Sequence, residues 1–184
     1  MPRAGLSAES VTAAAAELAD AEGLDAVTLA ALAARLGVRP PSLYAHVAGL
    51  ADLRARIAAR GAGQLAERLQ AAAAGRAGTE ALSAFAEAYR EYAREHPGEY
   101  AALQRVPGRN PRAAEASERA VAVVVAVLAG YGLEGERALH ATRAIRSALH
   151  GFVLLEAEVG FGLALDVDQS FAELVALLDR GLRS

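Results

Sequence analysis

Residues 28–47 read TLAALAARLGVRPPSLYAHV, and this stretch decides the fold. Thr28 can cap a helix through its hydroxyl, and Leu29, Leu32, Ala33 and Leu36 then recur at helical spacing as an apolar stripe. Gly37 follows at once, where a residue free to turn left-handed ends a helix. Pro40 or Pro41 can open a second helix, because the first turn has no use for a proline N–H. That second helix runs from Arg39 or Pro40 to His46. Leu43 and Val47, four apart, face the core and leave Arg39, Pro41, Ser42, Tyr44 and His46 outward. A short helix that shows donors and a ring to solvent suits the floor of a DNA major groove.

The segment LGVRPPSLYAHVAGLADL, residues 36–53, resembles the helix-turn-helix signature of the TetR family of transcriptional regulators. Leu36-Gly37-Val38, Pro41, Leu43-Tyr44, His46-Val47 and Leu53 carry the resemblance, which covers roughly residues 7–57. It implies that Pro41, Ser42, Tyr44 and His46 touch bases or phosphates and that Arg39 and Pro40 begin the same surface. It also implies that Thr28, as cap, meets a phosphate. One position departs from the pattern. Leu50 stands where the family commonly has a basic residue, and Arg54, one turn later, or Arg3 in the N-terminal arm is the expected substitute.

Composition supports helices and limits the other readings. The 184 residues are 54% hydrophobic but only 5% aromatic, so alanine and leucine supply most of the apolar surface. No apolar run approaches the ~18 residues that span a bilayer, and the N-terminus lacks the apolar core of a signal peptide. With no cysteine there is no disulfide framework and no thiolate metal site. A soluble cytoplasmic protein is the expectation. All 19 basic residues are arginine, and the net charge is −3. Residues 1–60 carry six arginines against six acids, so a DNA-binding reading rests on local geometry rather than bulk charge.

Along the chain, helices are expected over residues 7–22, 28–36, 39–46, about 50–74, 78–96, 97–106, 111–129, about 134–159 and 168–182. This is an all-α architecture of about nine helices. A three-helix DNA-binding domain (1–50) is joined by a long helix to a helical ligand-binding and dimerisation domain (51–184). Gly61 and Gly63 interrupt the long helix and are read as either tolerated glycines or a hinge. Residues 71–79 and 107–112 are expected loops. The run AVAVVVAVL in residues 120–128 is apolar on nearly all sides and is expected to be central. Asp168 is the expected cap of the last helix.

Residues 144–182 resemble a C-terminal subtype of TetR-like regulators marked by Trp, then His-Gly, then an apolar stretch ending Leu-Glu. Here His150-Gly151 and Leu155-Glu156 are present, with Arg146 where the tryptophan often stands. The resemblance implies a homodimer whose last two long helices pair with their copies. Gly151 and Ala148 would allow close approach, and a two-fold dimer would read a palindrome. Aromatic walls with a few polar groups describe a small-molecule site. The candidates are Phe85, Tyr89, Tyr92, Tyr100, Leu103, Arg143, Ser147, His150 and Phe152. Core packing is the competing role for Tyr89 and Tyr92, and a backbone or glutamate contact for His150. Arg143 and Arg146 are expected to pair with Glu156, Glu158 or neighbouring acids. No two of the four histidines stand at helical metal-binding spacing, and no nucleophile elbow or phosphate-binding glycine loop occurs. The sequence therefore points to a non-enzymatic, ligand-responsive dimeric regulator, a repressor by family default, with no cofactor, metal or membrane. Its partners would be double-stranded operator DNA and a small-molecule effector. The alternative is a helical ligand-binding protein of the same shape that binds DNA weakly or not at all.

Overall fold

A computed structural model describes residues 6–105, 111–158 and 160–183. Among them every regular element is helical. The α-helices are α1 (Ala8–Glu22), α2 (Leu29–Leu36), α3 (Leu50–Ala73), α4 (Gly78–Glu95), α5 (Pro97–Arg105), α6 (Pro111–Ala129), α7 (Gly135–Ala157) and α8 (Val167–Leu182). Two short 3-10 helices, Leu24–Ala26 and Pro40–Ala45, complete the set. Arg3, residues 107–110 of the second expected loop and Val159 lie outside the described residues.

The chain divides into two compact units, residues 1–64 with 95–116 and residues 65–94 with 117–184. The first, called the head below, has one apolar core. Val11, Ala15, Leu18 and Ala19 of α1 meet Leu32 and Ala33 of α2, Leu43, Val47, and Leu53 and Ile57 of α3. Ala102 of α5 is fully buried in the same core, so a helix far along the sequence belongs to the head. Gly61 and Gly63, read as either tolerated glycines or a hinge, leave α3 unbroken, and the division between the units falls just after them, between Gln64 and Leu65.

The second unit is organised around Arg90, a charged side chain only 5% exposed. Its guanidinium meets Glu156 through Nε at 2.9 Å and Nη2 at 2.5 Å, and Asp168 through Nη2 at 2.7 Å. It also lies 4.7 Å from the ring centre of Phe171 and 5.6 Å from that of Phe152, whose ring packs on Phe161 and Phe171. One arginine of α4 thereby ties together the end of α7 and the start of α8. At the other end of the unit, Tyr131 Oη and Thr79 Oγ1 donate to Asp179 Oδ1 at 2.5 and 2.7 Å, and Arg183 Nε donates to Asp179 Oδ2 at 2.9 Å.

Three expectations need correction. Asp166, not Asp168, caps the last helix, accepting from the Asp168 and Gln169 amides at 2.8 and 3.2 Å. Asp168 then sits one residue inside the helix and is free to reach Arg90. Glu156 is taken by Arg90 on a different helix, while Arg143 and Arg146 are exposed. Finally, α6 is amphipathic rather than central: Val124, Val127 and Leu128 are buried, whereas Val121 is 44% exposed and Ala122 and Ala126 face solvent. Alanine and valine make such a helix look uniformly apolar, although only one stripe packs.

Glu156→Ala should destabilise the protein by about 3–5 kcal/mol, because it strands a buried guanidinium. Asp168→Asn, at an exposed carboxylate, should cost under about 1 kcal/mol, and chemical unfolding compares the two. The Arg183, Tyr131 and Thr79 hydrogen bonds hold the Asp179 carboxyl down at about 2, from an ordinary 3.8. Its contribution to stability is complete above the ordinary value and is lost as pH falls toward about 2. Thermal unfolding from pH 6 to 2 should therefore fall more steeply for the wild-type chain than for Asp179→Asn.

Candidate nucleic-acid interface

The head builds its outward face from two caps and one anchor. Thr28 adopts an extended conformation before α2, and its Oγ1 accepts the Ala31 amide at 3.1 Å. Gly37 ends α2 with φ 67° and ψ 32°, and both its own N–H and that of Val38 return to carbonyls of the last turn. A side chain at this left-handed position would be strained, so the glycine sets the sharp turn between the two helices. Pro40 and Pro41 then open a tight 3-10 helix rather than an α-helix. Leu43 is its anchor, with no exposed surface, and Val47 follows into the same core.

Everything else on this short helix points away from the core. Arg39, Pro40, Pro41 and Ser42 are exposed, Tyr44 is 61% exposed, and His46 is half-buried at the end of the helix. Thr28 is exposed at the start of α2.

The charges of the head are mostly spent internally. Arg35 pairs with Glu17 at 3.1 Å, Arg56 with Asp52 at 2.8 Å, Arg60 with Glu99 at 3.1 Å and Arg105 with Asp25 at 2.8 Å. Arg39 makes no ion pair among the described residues. Arg54 is half-buried, with its Nε enclosed and without a hydrogen-bond partner among the described residues. Its charge, after the closer hydrogen bond and charge of Arg105, helps to hold the Asp25 carboxyl below its usual range. Leu50 packs against the head core, which accounts for an apolar residue at a position where a cation was anticipated.

The nine candidate effector residues divide between the two units. Phe85, Tyr89, Tyr92 and Phe152 are buried in the second unit. Tyr100 is buried in the first, and Leu103 there packs on the small cluster of Ala62, Ala113 and Ala116. Arg143 and Ser147 are exposed on α7. His150 is half-buried, and burial, helped by the Arg146 charge, pushes its imidazolium below the usual range. Residues missed from sequence include Arg68, whose guanidinium lies 5.8 Å from the ring centre of Tyr92, and Arg90. Both are arginines in polar-looking helical stretches, and only their partners on other helices mark them.

Residues 11–56 match the family described as bacterial regulatory proteins, tetR family, and residues 82–178 match the tetracyclin repressor-like C-terminal domain. The uncharacterized HTH-type transcriptional regulator Rv0681 of Mycobacterium tuberculosis is 44% identical over 181 residues, covering 97% of this chain and 83% of that protein. The uncharacterized HTH-type transcriptional regulator YobS of Bacillus subtilis is 40% identical over 183 residues, covering 98% and 95% respectively. Among solved structures, a TetR variant from Acinetobacter baumannii AYE in complex with minocycline superposes with a TM-score of 0.74 at 25% identity, covering 98% of this chain and 99% of that one. Matched in both its head and its C-terminal half, the chain belongs to the TetR family of DNA-binding bacterial transcriptional regulators.

Proposed function

We propose that the protein is a ligand-responsive, dimeric repressor that holds a palindromic operator and releases it when a small molecule binds. The observation that carries this reading is the face of the Pro40–Ala45 helix. Leu43 fixes it in the core while Arg39, Pro41, Ser42 and Tyr44 stand in solvent. In this reading residues 1–50 are the DNA-reading module. Arg39 supplies base or phosphate contact, Tyr44 and Thr28 offer hydroxyls to phosphate, and Pro40, Pro41, Ser42 and His46 shape the surface against the groove. Arg54 contributes through the edge of its guanidinium, subject to the competing pull of Asp25.

Residues 51–184 would supply the effector site and the dimer contact. Four aromatic side chains of the second unit, Phe85, Tyr89, Tyr92 and Phe152, support an apolar wall for an effector. The minocycline complex of the Acinetobacter relative supports a small-molecule effector of some kind. Tyr100, Leu103 and His150 remain candidates by position. Arg143 and Ser147 fit a different role, since they share an exposed stripe of α7 with Gly151 and Leu154. A Cβ on Gly151 would meet nothing within 4 Å, which leaves room for another backbone to approach. Leu154, Leu155, Leu165 and Leu177 are 40%, 47%, 70% and 59% exposed, more apolar surface than a monomer commonly leaves open. We therefore assign homodimerisation to α7 and α8, on the stripe that carries Arg143 and Ser147.

Electrophoretic shift with the chain's own upstream region tests the DNA reading. Binding should be tight at low salt and fall linearly on a log–log plot, with a slope near −0.9 per phosphate contacted. Arg39→Ala should cost about 1–3 kcal/mol and relax preference at one or two base positions if it reads guanine. A uniform loss across sequences would assign it to phosphate. The dimer is tested by the double substitution Gly151→Glu and Leu177→Glu, which should yield a helical monomer by light scattering that no longer shifts the operator.

A further inference from the structure

Within the head, α1 and α5 meet with their backbones almost touching. A Cβ on Gly98 would lie 2.1 Å from the carbonyl carbon of Ala19 and 2.3 Å from its oxygen, so any larger residue would force the two helices apart. The next residue of α1, Asp20, closes the joint. Its Oδ1 accepts the amides of Gly98 at 2.8 Å and Glu99 at 3.0 Å, and its Oδ2 lies 3.1 Å from His96 Nδ1. A side chain of one helix thus caps the first turn of another, serving amides that have no acceptor within their own helix. Glu99, 2% exposed, in turn accepts from Arg60 Nε of α3 at 3.1 Å. Ala102, one turn further along α5, is buried in the core that anchors Leu43 and Val47.

Ligand atoms of Asp20, His96 and Glu99 come within 4.8 Å of one another, a spacing that a cation could use. Their donors are already committed, though: Asp20 to two amides and Glu99 to a guanidinium. The cluster is a joint between helices. In the chain, His96 alone separates α5 from α4, the helix that carries Phe85, Tyr89 and Tyr92.

We propose that Asp20 is a positioning residue for DNA recognition. Its cross-helix cap makes α1 follow α5, so that the state of α5 sets the pose of the Pro40–Ala45 helix. The proposal rests on the regulator reading above and adds to it the part that transmits. Coupling of this kind is reciprocal: if α5 alters DNA affinity, DNA must alter α5 to the same degree.

The test uses the full chain and a duplex carrying its own upstream region. Asp20→Ala should bind that duplex roughly tenfold more weakly, with its affinity for a random duplex and its dimer mass unchanged. Asp20→Asn keeps an acceptor for the two amides and should recover most of the loss. Glu80→Ala removes an exposed ion pair outside the head and should change nothing. An arm that needs no variant is amide hydrogen exchange of the wild-type chain. Adding the duplex should slow Gly98 and Glu99, although neither belongs to the reading face. Wild-type affinity in Asp20→Ala, or exchange at Gly98 and Glu99 indifferent to the duplex, overturns the proposal. If the wild-type chain does not bind the duplex even at low salt, it is the regulator reading that fails. The joint is then decided by exchange over residues 29–47 in Asp20→Ala: faster exchange supports it and unchanged exchange overturns it.

Discussion

The burial of Leu43 is the constraint on which the reading face depends. A six-residue 3-10 helix has too few hydrogen bonds to persist by itself, since nucleation costs more than so short a run returns. It holds its shape because Leu43 and Val47 are locked among Leu32, Leu53 and Ile57. The two prolines and the left-handed Gly37 remove alternatives before packing begins. With one side chain of the helix fixed inward, the others have only solvent to face. Exposure of Ser42 and Tyr44 is thus a consequence of where Leu43 goes.

Electrostatics in the head follow the same economy. A chain with balanced charge in its first 60 residues does not attract DNA through its bulk field. Arg35, Arg56, Arg60 and Arg105 are each neutralised by a carboxylate, and Arg54 shares its field with Asp25. What remains at the reading face is Arg39 and a set of neutral hydroxyl, ring and proline surfaces. In the proposed reading such a face would discriminate by shape and by a few directed hydrogen bonds, with little long-range steering.

Legibility in the sequence tracked the range of the interaction. Thr28, Gly37 and the proline pair act on neighbours three or four residues away, and their roles were readable from the sequence and appear in the structure as described. Helix positions were equally legible, because alanine- and leucine-rich stripes and glycine breaks are local signals. The misassignments all involve partners far apart. Glu156 was expected to serve Arg143 or Arg146 on its own helix, but it serves Arg90, 66 positions away. Asp168 looked like a cap because Asp166-Val167-Asp168 offers two equivalent carboxylates, and the tertiary demand of Arg90 settles which one does the capping. The exposure of α6 was hidden for a related reason, since alanine carries no label for inside or outside.

The Arg90 centre sets the arrangement of three helices in the second unit. Replacing such a buried ion cluster with apolar side chains is frequently neutral for stability, so its presence asks for a reason beyond strength. Geometry supplies one. A guanidinium held by two carboxylates and two rings fixes the ends of α7 and α8 to α4 in one arrangement, where apolar packing would allow several. The same α4 leads through His96 into the Asp20 joint.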